Sequence, residues 1–189
     1  PKEWNALKLL NSKGEFLSDA DGKALLAIAE ESNFTYADVD ALGYIEEKDY
    51  TQYHINKVLD LKLVNLQAVK SSKIKVVVDA VNSVGGTIIP QLLRAMGITD
   101  IIELNCQPTG KFAHNPEPIP ANLTQISATM KEHKADIGIV VDPDVDRLAL
   151  ICEDGSMFVE EYTLVSVADY VLSKTPGNTV SNLSSSRAL

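Results

Sequence analysis

The segment Asp142-Pro143-Asp144-Val145-Asp146-Arg147 sets three carboxylates on alternate residues, with an arginine directly after them. Carboxylates crowded in this way repel one another, and a hard cation suited to oxygen donors ordinarily absorbs such charge. In a curved loop the alternate spacing can turn all three oxygens toward one point, while Pro143 fixes one φ angle. Arg147 would then stand beside the ion, able to grip a phosphate through two parallel hydrogen bonds. The chemistry indicated is a joint metal and phosphate site. A plain acidic turn also accounts for the aspartates taken alone, because Asp readily closes turns. The arginine, and the apolar runs on either side, favour function. With Glu153 the three aspartates also fall on positions one, three, five and twelve of an EF-hand loop. That loop needs glycine where Arg147 stands and helices on both flanks.

The flanks instead predict strands. Ile137 to Val141 and Leu148 to Ile151 are short aliphatic runs bounded by turn formers, each the pattern of a buried strand. Upstream, Lys73 to Asp79 carries Val76-Val77-Val78 and predicts another strand. A loop through Gly85 and Gly86 comes next, then a helix over Ile88 to Met96, a strand over Asp100 to Leu104 and a helix over Asn122 to His133. Strands alternating with helices predict an α/β fold, three-layer α/β/α with a mostly parallel sheet. Chemistry in such sheets gathers beyond the carboxyl ends of strands, which is where Asp79 and Asp142 fall. Asp79, Asn82 and His114 fit a cleft or a closed turn equally, and Pro116 and Pro118 around Glu117 suit a domain interface.

Earlier in the chain, Pro1 to Leu10 suits a short helix, and Ser18-Asp-Ala-Asp21 opens a second one with a capping-box pattern, ending near Asn33. Ile55, Leu59, Leu63 and Leu66 recur at helical spacing, predicting one long helix over Asp49 to Val69. Ser71-Ser72-Lys73 marks a boundary and Pro176-Gly177 a linker, giving expected domains at 1–70, 71–174 and 175–189. Glu160 to Ser173 predicts a closing helix, and the residues from Asn178 begin a strand. Both ends read as cut, so a piece of a longer protein is expected.

A formal charge of −9 over 189 residues leaves no basic patch, which argues against nucleic acid as a partner. With 45% hydrophobic residues the chain can bury a real core. No apolar run approaches a membrane span and no signal-peptide pattern opens the chain, so a cytoplasmic location without membrane contact is expected. Cys106 and Cys152, far apart, suggest neither a disulfide framework nor a zinc site.

Taken together, these motifs resemble the α-D-phosphohexomutase family of phosphoglucomutases, phosphomannomutases and phosphoglucosamine mutases. Asp142-Pro-Asp144-Val-Asp146-Arg147 is similar to the family's metal loop, D-G-D-G-D-R, departing at Pro143 and Val145. Pro1, Asn5 and Lys8 resemble the residues just after its phosphoserine in T-A-S-H-N-P-x-x-x-N-G-x-K, with Ala6 in place of glycine. Val77-Val78-Asp79 with Asn82, and Phe112-Ala-His114-Asn-Pro116-Glu-Pro118, resemble further motifs of its second domain. The resemblance covers the whole chain. It implies a helical remnant of a preceding α/β domain before residue 71, and the start of a third domain after residue 174. It also implies Mg2+ held by Asp142, Asp144 and Asp146, Lys8 as catalytic general acid and base, and Arg147 on the substrate's phosphate. The ligands it implies are a hexose phosphate and a hexose bisphosphate, handled by a monomer or homodimer. The serine loop and the sugar-reading and phosphate-binding loops would lie outside this segment, which alone is expected to be inactive. Phosphoglucosamine mutase activity remains an alternative on the same motifs. So does a catalytically inactive cation-binding or interaction module.

Overall fold

The computed structural model describes residues 8–32, 34–183 and 185, which divide at Asp49 and Tyr50 into two compact units. In the larger unit, five strands form one sheet in the order β2-β1-β3-β4-β5. They are β1 (Lys75–Asp79), β2 (Asp100–Leu104), β3 (Ile137–Val141), β4 (Leu148–Ile151) and β5 (Met157–Phe158). β1 pairs in parallel with β2 and with β3, in the register Val77↔Ile102 and Val77↔Gly138. β4 pairs antiparallel with both β3 and β5, so it alone in this sheet runs against the other four strands. The α/β class and the mostly parallel sheet expected from the sequence are found.

The triple valine explains the layering. Successive side chains on a strand point to opposite faces, so Val77 packs with Val140, Ala149 and Ile151 against Ile126 and Met130 of helix α5 (Thr124–His133). Val76 and Val78 face the other way, against Leu93 of helix α4 (Gly85–Ala95) and Ile98. All three valines are fully buried. Each such side chain contributes roughly 1.5–3 kcal/mol, so β1, an interior strand of the sheet, helps to hold both layers. A fifteen-residue helix (Glu160–Lys174) packs against β4. None of the helices among the described residues is long and apolar enough to cross a membrane.

Several local expectations give way. The predicted long helix is two, Thr51–Leu59 and Leu66–Ser72. The chain turns over Leu61 to Val64, where the Val64 N–H donates to the Leu61 carbonyl at 2.9 Å, and the Asn65 side chain then caps the second helix by accepting the Ala68 N–H at 3.0 Å. Local capping thus overrides apolar spacing that runs through the break. The expected boundary at residues 70 and 71 falls in the last turn of that second helix. Asn122 belongs to a separate 3-10 turn, Pro120–Asn122, ahead of α5. No described residue after Lys174 forms a strand.

In the smaller unit, a helix over Asp19–Glu30 begins with the predicted capping box. Ser18 accepts the Asp21 N–H, and the Asp21 carboxylate accepts the Ser18 N–H. Lys8 to Leu10 are not helical; Leu10 bridges Phe16 in an antiparallel bridge around Gly14, whose φ of +78° a side chain would resist. Residues 1–7 of the predicted first helix lie outside the described residues. No described residue between 8 and 49 is buried.

Candidate metal and phosphate site

Beyond the carboxyl end of β3 the chain makes a tight six-residue connection to β4. Val141 and Leu148 are paired across the hairpin, which fixes both ends of the loop. Inside it, the Val145 N–H donates to the Asp142 carbonyl at 3.2 Å and Val145 takes a left-handed φ of 63°. Ser83 Oγ, from the loop after β1, donates to the Pro143 carbonyl at 2.8 Å and ties the connection down. The close approach of these loops explains Gly85, where an added Cβ would stand 2.5 Å from Val141 Cγ2.

The result is the predicted convergence. One carboxylate oxygen from each of Asp142, Asp144 and Asp146 lies within 4.8 Å of the others. Octahedral Mg2+ at about 2.1 Å from its ligands sets neighbouring oxygens about 3.0 Å apart and opposite ones about 4.2 Å apart. The triad is a hard, all-oxygen donor set of the kind such an ion takes, and its carboxylates would draw together on binding it. Asp142 is buried while Asp144 and Asp146 are exposed. Burial pushes the Asp142 carboxyl above its ordinary value, the charges of Asp144 and Asp146 push the same way, and the Arg147 backbone N–H donated to Oδ1 at 3.2 Å opposes them. A cation would remove that repulsion.

Arg147 projects beside the triad, and its Nη1 donates to Glu117 Oε1. That bond first, and the Glu117 charge second, hold the guanidinium more firmly protonated than usual. Sequence spacing gives no sign of this pairing, since thirty residues separate Glu117 from Arg147.

A second cluster sits at the end of β1. Asp79 is 1% exposed. Its carboxylate accepts the Val81 N–H at 3.1 Å and the Asn105 side-chain amide at 3.2 Å, and Oδ2 lies 3.1 Å from His114 Nε2. Around it Val81, Asn82 and Asn105 are all left-handed, a conformation unusual for a β-branched residue. The Asn82 N–H donates to the Asn105 carbonyl at 2.6 Å, and the Gly110 N–H to the Asn82 carbonyl at 3.0 Å. Asp79, Asn82 and His114 therefore close a packed corner. Lys8 is exposed and belongs to the smaller unit, and Pro1 and Asn5 of its motif lie outside the described residues.

Comparison with known proteins points in the same direction. Residues 49–155 match the family phosphoglucomutase/phosphomannomutase, alpha/beta/alpha domain II. A phosphoglucomutase of Neisseria meningitidis is 33% identical over 180 residues, covering 94% of this chain and 37% of that protein. A probable phosphoglucosamine mutase of Methanococcoides burtonii is 35% identical over 170 residues, covering 89% and 37%. Among solved structures, a phosphoglucomutase/phosphomannomutase family protein of Burkholderia thailandensis superposes with a TM-score of 0.70 at 29% identity, covering 85% of this chain and 33% of that one. A Thermus thermophilus protein described as a phosphomannomutase gives the same TM-score at 22% identity and shares the fold. The chain thus spans about a third of the length of these relatives. By its α/β/α domain and the sequence matched across it, the chain belongs to the phosphoglucomutase/phosphomannomutase family.

Proposed function

We propose that this chain is a segment of a magnesium-dependent, cytoplasmic phosphohexomutase that interconverts hexose 1-phosphate and hexose 6-phosphate in carbohydrate metabolism. The observation that carries the reading is the convergence of Asp142, Asp144 and Asp146, with Arg147 beside them, in a domain of this family. In the proposed cycle a phosphoserine supplied by the longer protein gives its phosphoryl group to one hydroxyl of the sugar phosphate. The bisphosphate turns over, and its other phosphate returns to serine. Mg2+, when bound at the triad, supplies positive charge against the phosphoryl group in transit.

The chain's own residues would do the rest. Asp142, Asp144 and Asp146 would hold the ion, Asp142 from a buried position and the other two from exposed ones. The Arg147 guanidinium binds phosphate oxygens as a planar fork, orienting the sugar. Lys8 takes the proton from the attacking hydroxyl and returns one to the departing oxygen, as general base and then general acid. Residues 71–174 form the second domain in this reading, 1–70 the end of the first and 175–189 the start of the third. A monomer or homodimer would suffice.

Phosphoglucosamine mutase is a second reading, favoured by relatives bearing that name at a similar identity. An inactive cation-binding module of the same fold is a third. The longer parent enzyme, supplied with glucose 1-phosphate or glucosamine 1-phosphate, tests all three. Production of the corresponding 6-phosphate that stops on chelation supports the mutase reading and identifies the sugar. Cation binding without turnover of either would leave the third.

A further inference from the structure

We propose that Glu117 is a positioning residue for Arg147, carried on a strap, Phe112 to Pro118, that His114 fastens to the buried Asp79. The inference deepens the proposed function and takes from it only the identity of Arg147's ligand as a phosphate. Two anchored ends support it. At the inner end, both ring nitrogens of His114 face oxygen acceptors: Nε2 is 3.1 Å from Asp79 Oδ2 and Nδ1 is 2.8 Å from the Asn115 carbonyl. Asp79 is in turn gripped by Asn105, whose amide also donates to Gln125 on α5 at 3.2 Å. The strap is therefore tied to the sheet and to a core helix.

At the outer end, the Glu117 N–H donates to Asn115 Oδ1 at 3.1 Å, and the Glu117 carbonyl accepts the Asn122 amide at 2.8 Å. Those bonds fix the backbone from which the Glu117 carboxylate reaches Arg147 Nη1. The two side chains are about half exposed, at 49% for Arg147 and 53% for Glu117. As a stabilising salt bridge the pair is worth little. Its geometry suits a different task. The contact engages Nη1, and the Nε and Nη2 edge is a separate face of the same rigid fork, the edge with which a guanidinium takes an oxyanion in two parallel bonds. Holding one corner of the fork spares a bound phosphate the cost of ordering a long side chain.

The test is made on the whole chain with 15N-labelled arginine, with Mg2+ present and inorganic phosphate as the probe. Glu117→Gln should leave the melting temperature unchanged. It should also speed rotation of the Arg147 guanidinium several-fold in the side-chain NMR signal, and weaken phosphate binding by about two- to fivefold, the range an exposed ion pair supports. His114→Asn should mobilise the same guanidinium without touching it. The double variant Glu117→Gln/Arg147→Lys should bind phosphate no more weakly than Arg147→Lys alone, because the effect of Glu117 passes through Arg147. If His114→Asn does not fold, Asn122→Ala, which cuts the outer anchor, takes its place with the same expectation. Unchanged guanidinium motion in Glu117→Gln, or additive losses in the double variant, would overturn the proposal. None of these readouts depends on turnover, so a failed mutase assay would leave them standing.

Discussion

Replacing Asp142 by Asn should make the metal-free chain more stable at neutral pH while removing most of its affinity for Mg2+. Oδ1 of either residue can accept the Arg147 N–H at 3.2 Å, so the change removes charge and little else. The three carboxylate oxygens lie within 4.8 Å of one another. At that separation Coulomb's law gives about 0.9 kcal/mol per pair in water, and Asp142 belongs to two pairs. Screening in 0.1 M salt lowers the sum from about 1.8 to about 1.1 kcal/mol. Relief of desolvation, the leading cause of the raised Asp142 pKa, acts in the same direction.

The direction of that shift sets the pH dependence. A carboxyl whose folded pKa lies above its unfolded value binds its proton more tightly in the native state, so stability falls as pH rises between the two values. The penalty is complete above the folded value. The advantage of Asp142→Asn should therefore be present at pH 7, shrink as pH falls through that window, and vanish below the ordinary value of 3.8. Magnesium should reverse the ranking. At free Mg2+ 100 times its dissociation constant the wild type gains about 2.7 kcal/mol, and the variant far less. Urea denaturation at two pH values, with and without Mg2+, reads all of this. A metal-free Asn variant less stable than wild type at pH 7, or equal Mg2+ shifts in both proteins, would refute the reasoning.

Asp144→Asn should weaken Mg2+ binding far more than Asp136→Asn in a calorimetric titration. Asp136 instead accepts the Lys75 N–H at 2.7 Å, a bond that an asparagine oxygen can also accept, so its change should leave folding stability nearly unchanged. Lys8→Ala in the longer enzyme should lower turnover with little loss of stability, and preserved turnover would move the general acid and base elsewhere. Val145→Gly should raise the melting temperature slightly. It relieves about 1–2 kcal/mol of left-handed strain against about 0.5–1 kcal/mol of added chain entropy. A lower melting temperature would mean that the Val145 side chain's packing outweighs its strain.

The sheet was legible because its strands are short apolar runs cut off sharply by turn formers. Asp100 to Leu104, Ile137 to Val141 and Leu148 to Ile151 fall on the predicted residues. β5 escaped, since two residues, Met157 and Phe158, carry no period to detect. The acidic loop was legible for a related reason: its carboxylates are close in sequence, so their spacing already suggests that Asp142, Asp144 and Asp146 come together. Their surroundings were not. Glu117 reaches Arg147 across thirty residues, and His114 reaches Asp79 across thirty-five, contacts that no local pattern encodes. The break between Thr51–Leu59 and Leu66–Ser72 was missed because the apolar period runs through it unbroken, and only the Asn65 cap marks it.

The pairing of Val141 with Leu148 has a consequence for how this site can vary among descendants of the sequence. Because the period of a strand is two, a slip of β4 by one residue against β3 would send every side chain of β4 to the opposite face. Ala149 and Ile151, now in the core, would turn outward. The core thus holds the register of the hairpin: loop residues can be exchanged one for one, as Pro143 and Val145 illustrate, and any change of length falls on the loop between Val141 and Leu148, where the three carboxylates stand.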